Sequence, residues 1–261
     1  MAEEPAAKPF YSVLVLAFAC SALVASAAVG LRPLQEANRQ QDQKKNILYA
    51  AGLFEKEKTV EELFAPIETK IIELASGLYV PEDQLAPESY NQLKAALTES
   101  TSRPLNSEED LARLRRIEKY SFVYLVRDGQ KIDQIVLPVR GKGLWSTMYA
   151  YAAIDADLTT VRGISFYEHG ETPGLGGEIE NRKWQEGWRG KQLYDATGKI
   201  ELELVKGKAA GTGEEALHQI DGLSGATLTA KGVNNLMEFW FGDHGYKPYF
   251  NQLKNKDKSN G

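Results

Sequence analysis

Between Asp221 and Val233 the chain reads DGLSGATLTAKGV. Three hydroxyl residues, Ser224, Thr227 and Thr229, share this stretch with Gly222 and Gly225, and a helical pattern of Val233, Leu236, Met237 and Trp240 follows at once. The chemistry open to such a segment is anion binding. A helix start exposes unpaired N–H groups and carries partial positive charge, so a phosphate sits there readily. Glycine permits the positive φ that lets a backbone close around it. On the residues alone a second reading stands beside this one. Ser224 or Thr227 caps the helix, which stabilises it by about 1 kcal/mol and needs no ligand.

A second loop, GETPGLGG, covers Gly170 to Gly177. Its glycines let backbone approach a ligand closely, and a plain surface turn is the alternative. It is not a dinucleotide fingerprint, because Gly174 and Gly176 would need a glycine at 179, where Ile179 stands. No G-K-[ST] follows, which rules out a phosphate-binding loop of the nucleotide triphosphatase type. No nucleophile triad, pair of catalytic carboxylates or nicotinamide site is evident. The single cysteine, Cys20, excludes a disulfide framework, a thiolate zinc site and Cys-ligated iron–sulfur centres. His169, His218 and His244 lie far apart without metal spacing. A formal charge of −5 and the lack of a basic, aromatic-interleaved stripe argue against a nucleic-acid partner.

The elements that must carry these loops begin with an apolar run. Pro9 to Leu31 holds 23 residues without a charge, roughly 34 Å of helix, enough to cross a hydrocarbon core of about 30 Å. The rival reading is a signal peptide cleaved at Ala25-Ser26-Ala27, but the run continues past that site, and Lys8 stands against Glu3 and Glu4. Arg32, Arg39, Lys44 and Lys45 follow the run, a charge count that points weakly to a cytoplasmic domain. The polar stretch beyond it predicts a helix with a break near Pro33. Thr59 and Glu62 form a capping box, and Phe64, Ile67, Ile71 and Leu74 keep helical spacing. Residues 81–109 are rich in Pro, Ser, Asn and acidic side chains and predict a loop region with one short helix near Tyr90 to Leu97.

From Tyr120 the rhythm is that of strands. One pair turns at Asp128-Gly129, and a second, after Trp145, turns near Asp155 to Leu158. KIELELVKGK alternates as a further strand, and a short helix follows the GETPGLGG loop. The expected architecture is α+β: residues 1–32 as tail and transmembrane anchor, 33–119 as helical linker and loop region, and 120–261 as a domain on antiparallel strands.

DGLSGAT also matches, position by position, the D-G-x-[ST]-G-A-T pattern of covalent flavinylation. ETPGLGG, GKGLW at Gly141 to Trp145, and SAAVGLRPLQEANRQ at Ser26 to Gln40 match further, in the expected order. With them the whole chain resembles the C subunits of bacterial Na+-translocating NADH:quinone oxidoreductases, which carry an FMN-binding domain. The acceptor motif alone is shared with the G subunits of Rnf ferredoxin/NAD electron-transfer complexes. The resemblance implies that a flavin transferase moves FMN from FAD onto Thr227 as a phosphoester, one FMN per chain, with Ser224, Gly225 and Ala226 around the phosphate. It further implies that Glu171, Thr172, Gly174, Leu175 and Gly176 hold the isoalloxazine ring, with Leu175 against it and Thr172 bonding its edge. Trp145 packs near the ring or is an ordinary core tryptophan. Lys231 sits near the phosphate or is merely solvated. Asp221 either assists the transferase or caps its own turn. The implied protein relays electrons within a multi-subunit complex in the bacterial inner membrane, a single-pass subunit with its domain on the periplasmic side. A G-type subunit of an Rnf-like complex, a membrane-tethered assembly module without cofactor and a secreted flavoprotein cleaved near Ala27 are the alternatives.

Overall fold

The structure is a computed structural model that describes residues 8–259. The chain divides into two units, Met1–Lys44 and Lys45–Gly261. The described residues of the first are helical. Helix α1 (Lys8–Ala51) contains Pro33 without a break there. Proline deletes one backbone bond, and Leu31, Leu34, Gln35, Glu36 and Ala37 around it are good helix formers. The apolar side chains of its first half, Phe10 to Leu31, are exposed, as a helix made to face lipid must be.

The second unit opens with the last turn of α1, which closes at Gly52 (φ 70°). Gly52 N–H bonds Tyr49 O at 3.1 Å and Leu53 N–H bonds Leu48 O at 2.9 Å, the paired bonds of a left-handed helix terminus. Helix α2 (Val60–Phe64) carries the expected box between Thr59 and Glu62. The helix does not run on to Leu74, however. Ala65 still has helical backbone (φ −52°, ψ −38°), but Pro66 has no N–H to carry the helix further, and Glu68–Glu73 becomes strand β1. Helix α3 (Gln92–Leu97), β2 (Ser102–Pro104) and β3 (Arg116–Glu118) follow. The stretch 81–109 is therefore not a free loop region, for α3 buries Gln92, Ala95 and Ala96.

Strands β4 (Tyr120–Asp128), β5 (Lys131–Lys142), β6 (Thr147–Asp155) and β7 (Val161–Glu168) complete a five-stranded sheet of order β1-β4-β5-β6-β7, antiparallel throughout. Both expected hairpins are present. Residues 33–119 do not stand apart from this sheet, since β1 forms its edge by pairing Glu68–Glu73 with β4. Side chains alternate across it. Met148, Ala150, Ala152 and Ile154 join one apolar cluster, while Tyr151 and Ala153 join the other.

The second of these faces is closed by Ile47, Leu48, Ala50 and Ala51 of α1. Gln134 Nε2 donates to Ala51 O at 3.1 Å, and a Cβ on Gly163 would lie 2.5 Å from Ala50 O. Helix α4 (Arg182–Glu186), the short strands β8 (Glu203–Leu204) and β9 (Gln219–Ile220) with α5 (Glu215–His218) between them, and helices α6 (Thr227–Phe241) and α7 (Lys247–Ser259) make up the rest. The predicted strand over KIELELVKGK is only two residues long, although Leu202 and Leu204 are buried and Glu201 and Glu203 exposed as its alternation implies. Helix α6 lies on the first face of the sheet, where Leu236 meets Gly141 and Trp240 Nε1 donates to Arg140 O at 2.7 Å.

Candidate functional site

The site forms where α6 begins. Val233, Leu236, Met237 and Trp240 are buried, so the apolar face of the helix fixes its rotation about the sheet. At its start the N-cap is Ala226 (φ −129°, ψ 48°), with no side chain closing the first turn. The capping reading therefore fails for both Ser224 and Thr227. Both are exposed, Gly225 adopts a φ of 69°, and Ala226 is buried. A hydroxyl thus stands in solvent on the first residue of a 15-residue helix whose leading N–H groups no side chain takes up, the arrangement that favours an anion.

Gly222 serves differently from the expectation of positive φ. Its backbone runs against Val205, leaving no room for a Cβ, and its N–H bonds Gly207 O at 2.7 Å. Asp221 accepts from Ala209 N at 2.9 Å and Lys208 Nζ at 2.5 Å, and the lysine holds its carboxyl below the usual range. Trp184 Nε1 donates to Asp221 O at 2.9 Å. Backbone and side chain of Asp221 together fix the turn in front of α6.

The second loop lies against this turn. A Cβ on Gly225 would come within 2.9 Å of Leu175 Cδ2, so Leu175 covers the glycine two residues before Thr227. Leu175 itself is 43% exposed, and Thr172 and Gly174 are exposed as well, the latter with open space where a side chain would project. Trp145 is 66% exposed, which removes the core reading of that residue. Leu144 and Leu228 are two further exposed apolar side chains, on the same loop as Trp145 and next to Thr227. The sequence reading passed over both. Lys231 is exposed one turn beyond Thr227, on the same face of α6. On the β7 side of the loop a cleft of about 500 Å³ opens between Pro173, Gly174, Phe166, Asn46 and Arg182. The Arg182 guanidinium lies 3.7 Å from the centre of the Tyr49 ring.

Glu171 departs from its expected part. Its carboxylate does not face the open side of the loop, for the residue is 4% exposed. It accepts from the amides of Leu144 (3.1 Å), Trp145 (2.9 Å) and Ser146 (3.3 Å) and from Thr229 Oγ1 (2.6 Å). Burial pushes its pKa up, but the Thr229 hydroxyl and the three amides outweigh burial and hold it low. The stability gained this way is present above the ordinary carboxylate range and is lost as pH falls through the lowered value. Gly176 is buried beneath it, where a Cβ would collide with Thr229 Oγ1.

An FMN-binding domain family matches residues 143–242, which spans both loops and α6. The C subunit of the Na(+)-translocating NADH-quinone reductase of Pseudomonas aeruginosa is 44% identical over 256 residues, 97% of each chain. That of Neisseria meningitidis serogroup B is 46% identical over 245 residues, covering 93% of this chain and 92% of its own. The crystal structure of Shewanella oneidensis NqrC superposes with a TM-score of 0.75 at 35% identity, over 84% of this chain and 99% of that one.

Proposed function

Since the chain belongs to the C subunits of Na(+)-translocating NADH-quinone reductases, we propose that Thr227 is the covalent attachment point of its FMN. The protein is a membrane-anchored flavoprotein subunit that relays electrons within that multi-subunit complex. Bound FMN supplies the electron chemistry, and the chain supplies attachment, orientation and surroundings. The residues present suit the group. Thr227 offers an exposed hydroxyl at an uncapped helix start, and that observation carries the proposal.

In the attachment step Thr227 Oγ bonds to the phosphorus on the flavin side of FAD. The pyrophosphate P–O bond breaks, AMP leaves with the electron pair, and the hydroxyl proton is lost. A flavin transferase catalyses the exchange. Ser224, Gly225 and Ala226 border the resulting phosphate, Lys231 stands one turn away as a counter-charge, and the helix start favours the anion. Thr172, Gly174 and Leu175 would receive the ring and Trp145 would flank it, while Gly176, buried beneath Glu171, would back the loop. One FMN per chain follows from one such hydroxyl. Protein that stays yellow after acid precipitation is the first test, and a colourless precipitate refutes covalent attachment.

The ring assignment has its own test. Leu175→Asp leaves the flavin attached but lowers its reduction potential, because a carboxylate beside the ring disfavours the more anionic reduced form. An unchanged potential in a redox titration places the ring elsewhere.

For the anchor, α1 is one helix long and apolar enough to span a bilayer, among the described residues. We assign the soluble domain to the periplasmic side of the inner membrane, against the charge count of Arg32, Arg39, Lys44 and Lys45. Long domains translocate despite such charges. A reporter fused after Gly261 that is active only in the periplasm is expected. Activity only in the cytoplasm overturns the assignment.

A further inference from the structure

The residues that line the proposed flavin site come from three separate segments: the loop of Leu144 and Trp145, the loop of Thr172 and Leu175, and the first turn of α6. The first is the tip of the β5–β6 hairpin, closed by the Lys142–Thr147 pair and the Gly143 N–H to Ser146 O bond at 2.8 Å, but no strand ladder ties it to the other two. One carboxylate joins them. Glu171 sits in the second segment, takes three consecutive amides of the first, and takes the hydroxyl of Thr229 from the third. All four bonds are charge-assisted, a class roughly twice as strong as neutral hydrogen bonds.

The surroundings are shaped for that carboxylate. A Cβ on Gly143 would lie 2.6 Å from Glu171 Oε1, and one on Gly176 would meet both Glu171 and Thr229. Ser146 adds a second tie between the two loops, its Oγ accepting from the Gly170 amide. Residues two apart in a helix point about 200° from one another. Thr229 therefore turns inward at 1% exposure while Thr227 turns to solvent. One hydroxyl of the GATLT segment is free for chemistry, and the other anchors the turn that presents it.

We propose that Glu171 and Thr229 are a positioning pair. Through it the Trp145 loop and the Leu175 loop keep a fixed relation to the residue that bears the flavin, so the pair governs the surroundings of the flavin and not its attachment. The proposal rests on the assignment of Thr227.

The test uses the full-length chain in detergent, co-expressed with a flavin transferase, as wild type, Thr229→Val, Thr229→Ser and Glu171→Gln. Intact mass is expected to show the same FMN adduct in all four. In Thr229→Val and Glu171→Gln the amides of Leu144, Trp145 and Ser146 exchange hydrogen about ten-fold faster, while those of Val123 to Leu125 in the core stay protected. The visible circular dichroism of the flavin changes in the same two variants, and Thr229→Ser restores both signals. Unchanged exchange at 144–146 in Thr229→Val or Glu171→Gln overturns the pair, and so does faster exchange with an unchanged flavin spectrum. A wild type without adduct refutes the Thr227 assignment and with it the flavin part of the proposal. The exchange rates of the flavin-free chain then still decide whether Glu171 and Thr229 hold the two loops together.

Discussion

Thr227→Val is expected to abolish covalent FMN completely while leaving the domain folded. Valine keeps the shape of threonine and lacks only the hydroxyl, the single atom of that side chain able to form a phosphoester. The fold should not register the loss. Thr227 is exposed and closes no helix turn, because Ala226 is the N-cap and no side chain caps α6. The cost of about 1 kcal/mol that a true cap would carry is therefore absent. Intact mass after co-expression with a flavin transferase is the measurement. Wild type carries one FMN less one water, on the peptide from Asp221 to Lys231, and the variant carries none. Electron flow through the assembled complex stops with it. Flavin still attached in the variant would transfer the acceptor role to Ser224, the other exposed hydroxyl of the motif. Thr229 is an unsuitable substitute, since it is 1% exposed and its hydroxyl is spent on Glu171.

The elements legible in the sequence were those whose cause is local. Asp128-Gly129 turns a hairpin because glycine accepts a φ of 59° there. The capping box at Thr59 and Glu62 lies within four consecutive residues, and the apolar run from Pro9 needs no partner to be read. The DGLSGAT motif could be matched because its glycines and hydroxyls lie in one short stretch, and the acceptor role proposed for Thr227 comes from that resemblance. Thr229 lay in the same stretch as Thr227, but only the helix phase tells the inward hydroxyl from the outward one. Where the reading failed, the cause lay far along the chain. Phe64, Ile67, Ile71 and Leu74 do keep helical spacing, but pairing of residues 68–73 with β4 and the stop at Pro66 decide the outcome. The resemblance places Glu171 among the residues that hold the ring, and in the structure its carboxylate binds Leu144, Trp145, Ser146 and Thr229 instead of facing the open side of the loop. Nothing near Glu171 in the sequence announces that Thr229, 58 positions away, will take its charge inward. The polar composition of residues 81–109 hid Gln92 for the same reason, since its role appears only once α3 meets β4.

That role supports the second large expectation. Arg140→Met is expected to lower the stability of the domain by about 3–5 kcal/mol, the range for breaking a buried ion pair by removing one partner. Arg140 and Glu118 are 8% and 0% exposed in their side chains, and the guanidinium grips both carboxylate oxygens, Nη1 to Oε1 at 2.8 Å and Nη2 to Oε2. The remaining capacity is filled. Gln92 Nε2 donates to Glu118 Oε1 at 2.6 Å, and Gln92 Oε1 accepts from Phe122 N at 3.0 Å. Ser121 Oγ and Tyr246 Oη share a hydrogen bond, and Tyr246 donates onward to Pro138 O at 2.6 Å. Arg140 also lies 5.3 Å from the centre of the Trp240 ring, so its methylenes and charge both pack against α6. Methionine can replace that packing but leaves the Glu118 carboxylate buried without its counter-charge, and the loss comes from that uncompensated charge. A thermal melt of the full-length chain in detergent should fall by roughly 6–20 °C. The double variant Glu118→Leu, Arg140→Met removes both charges and should recover most of the loss, because an apolar replacement of a buried pair is often neutral. Equal melting of the single and double variants would show that packing against Trp240, and not the ion pair, carries the stability of this layer.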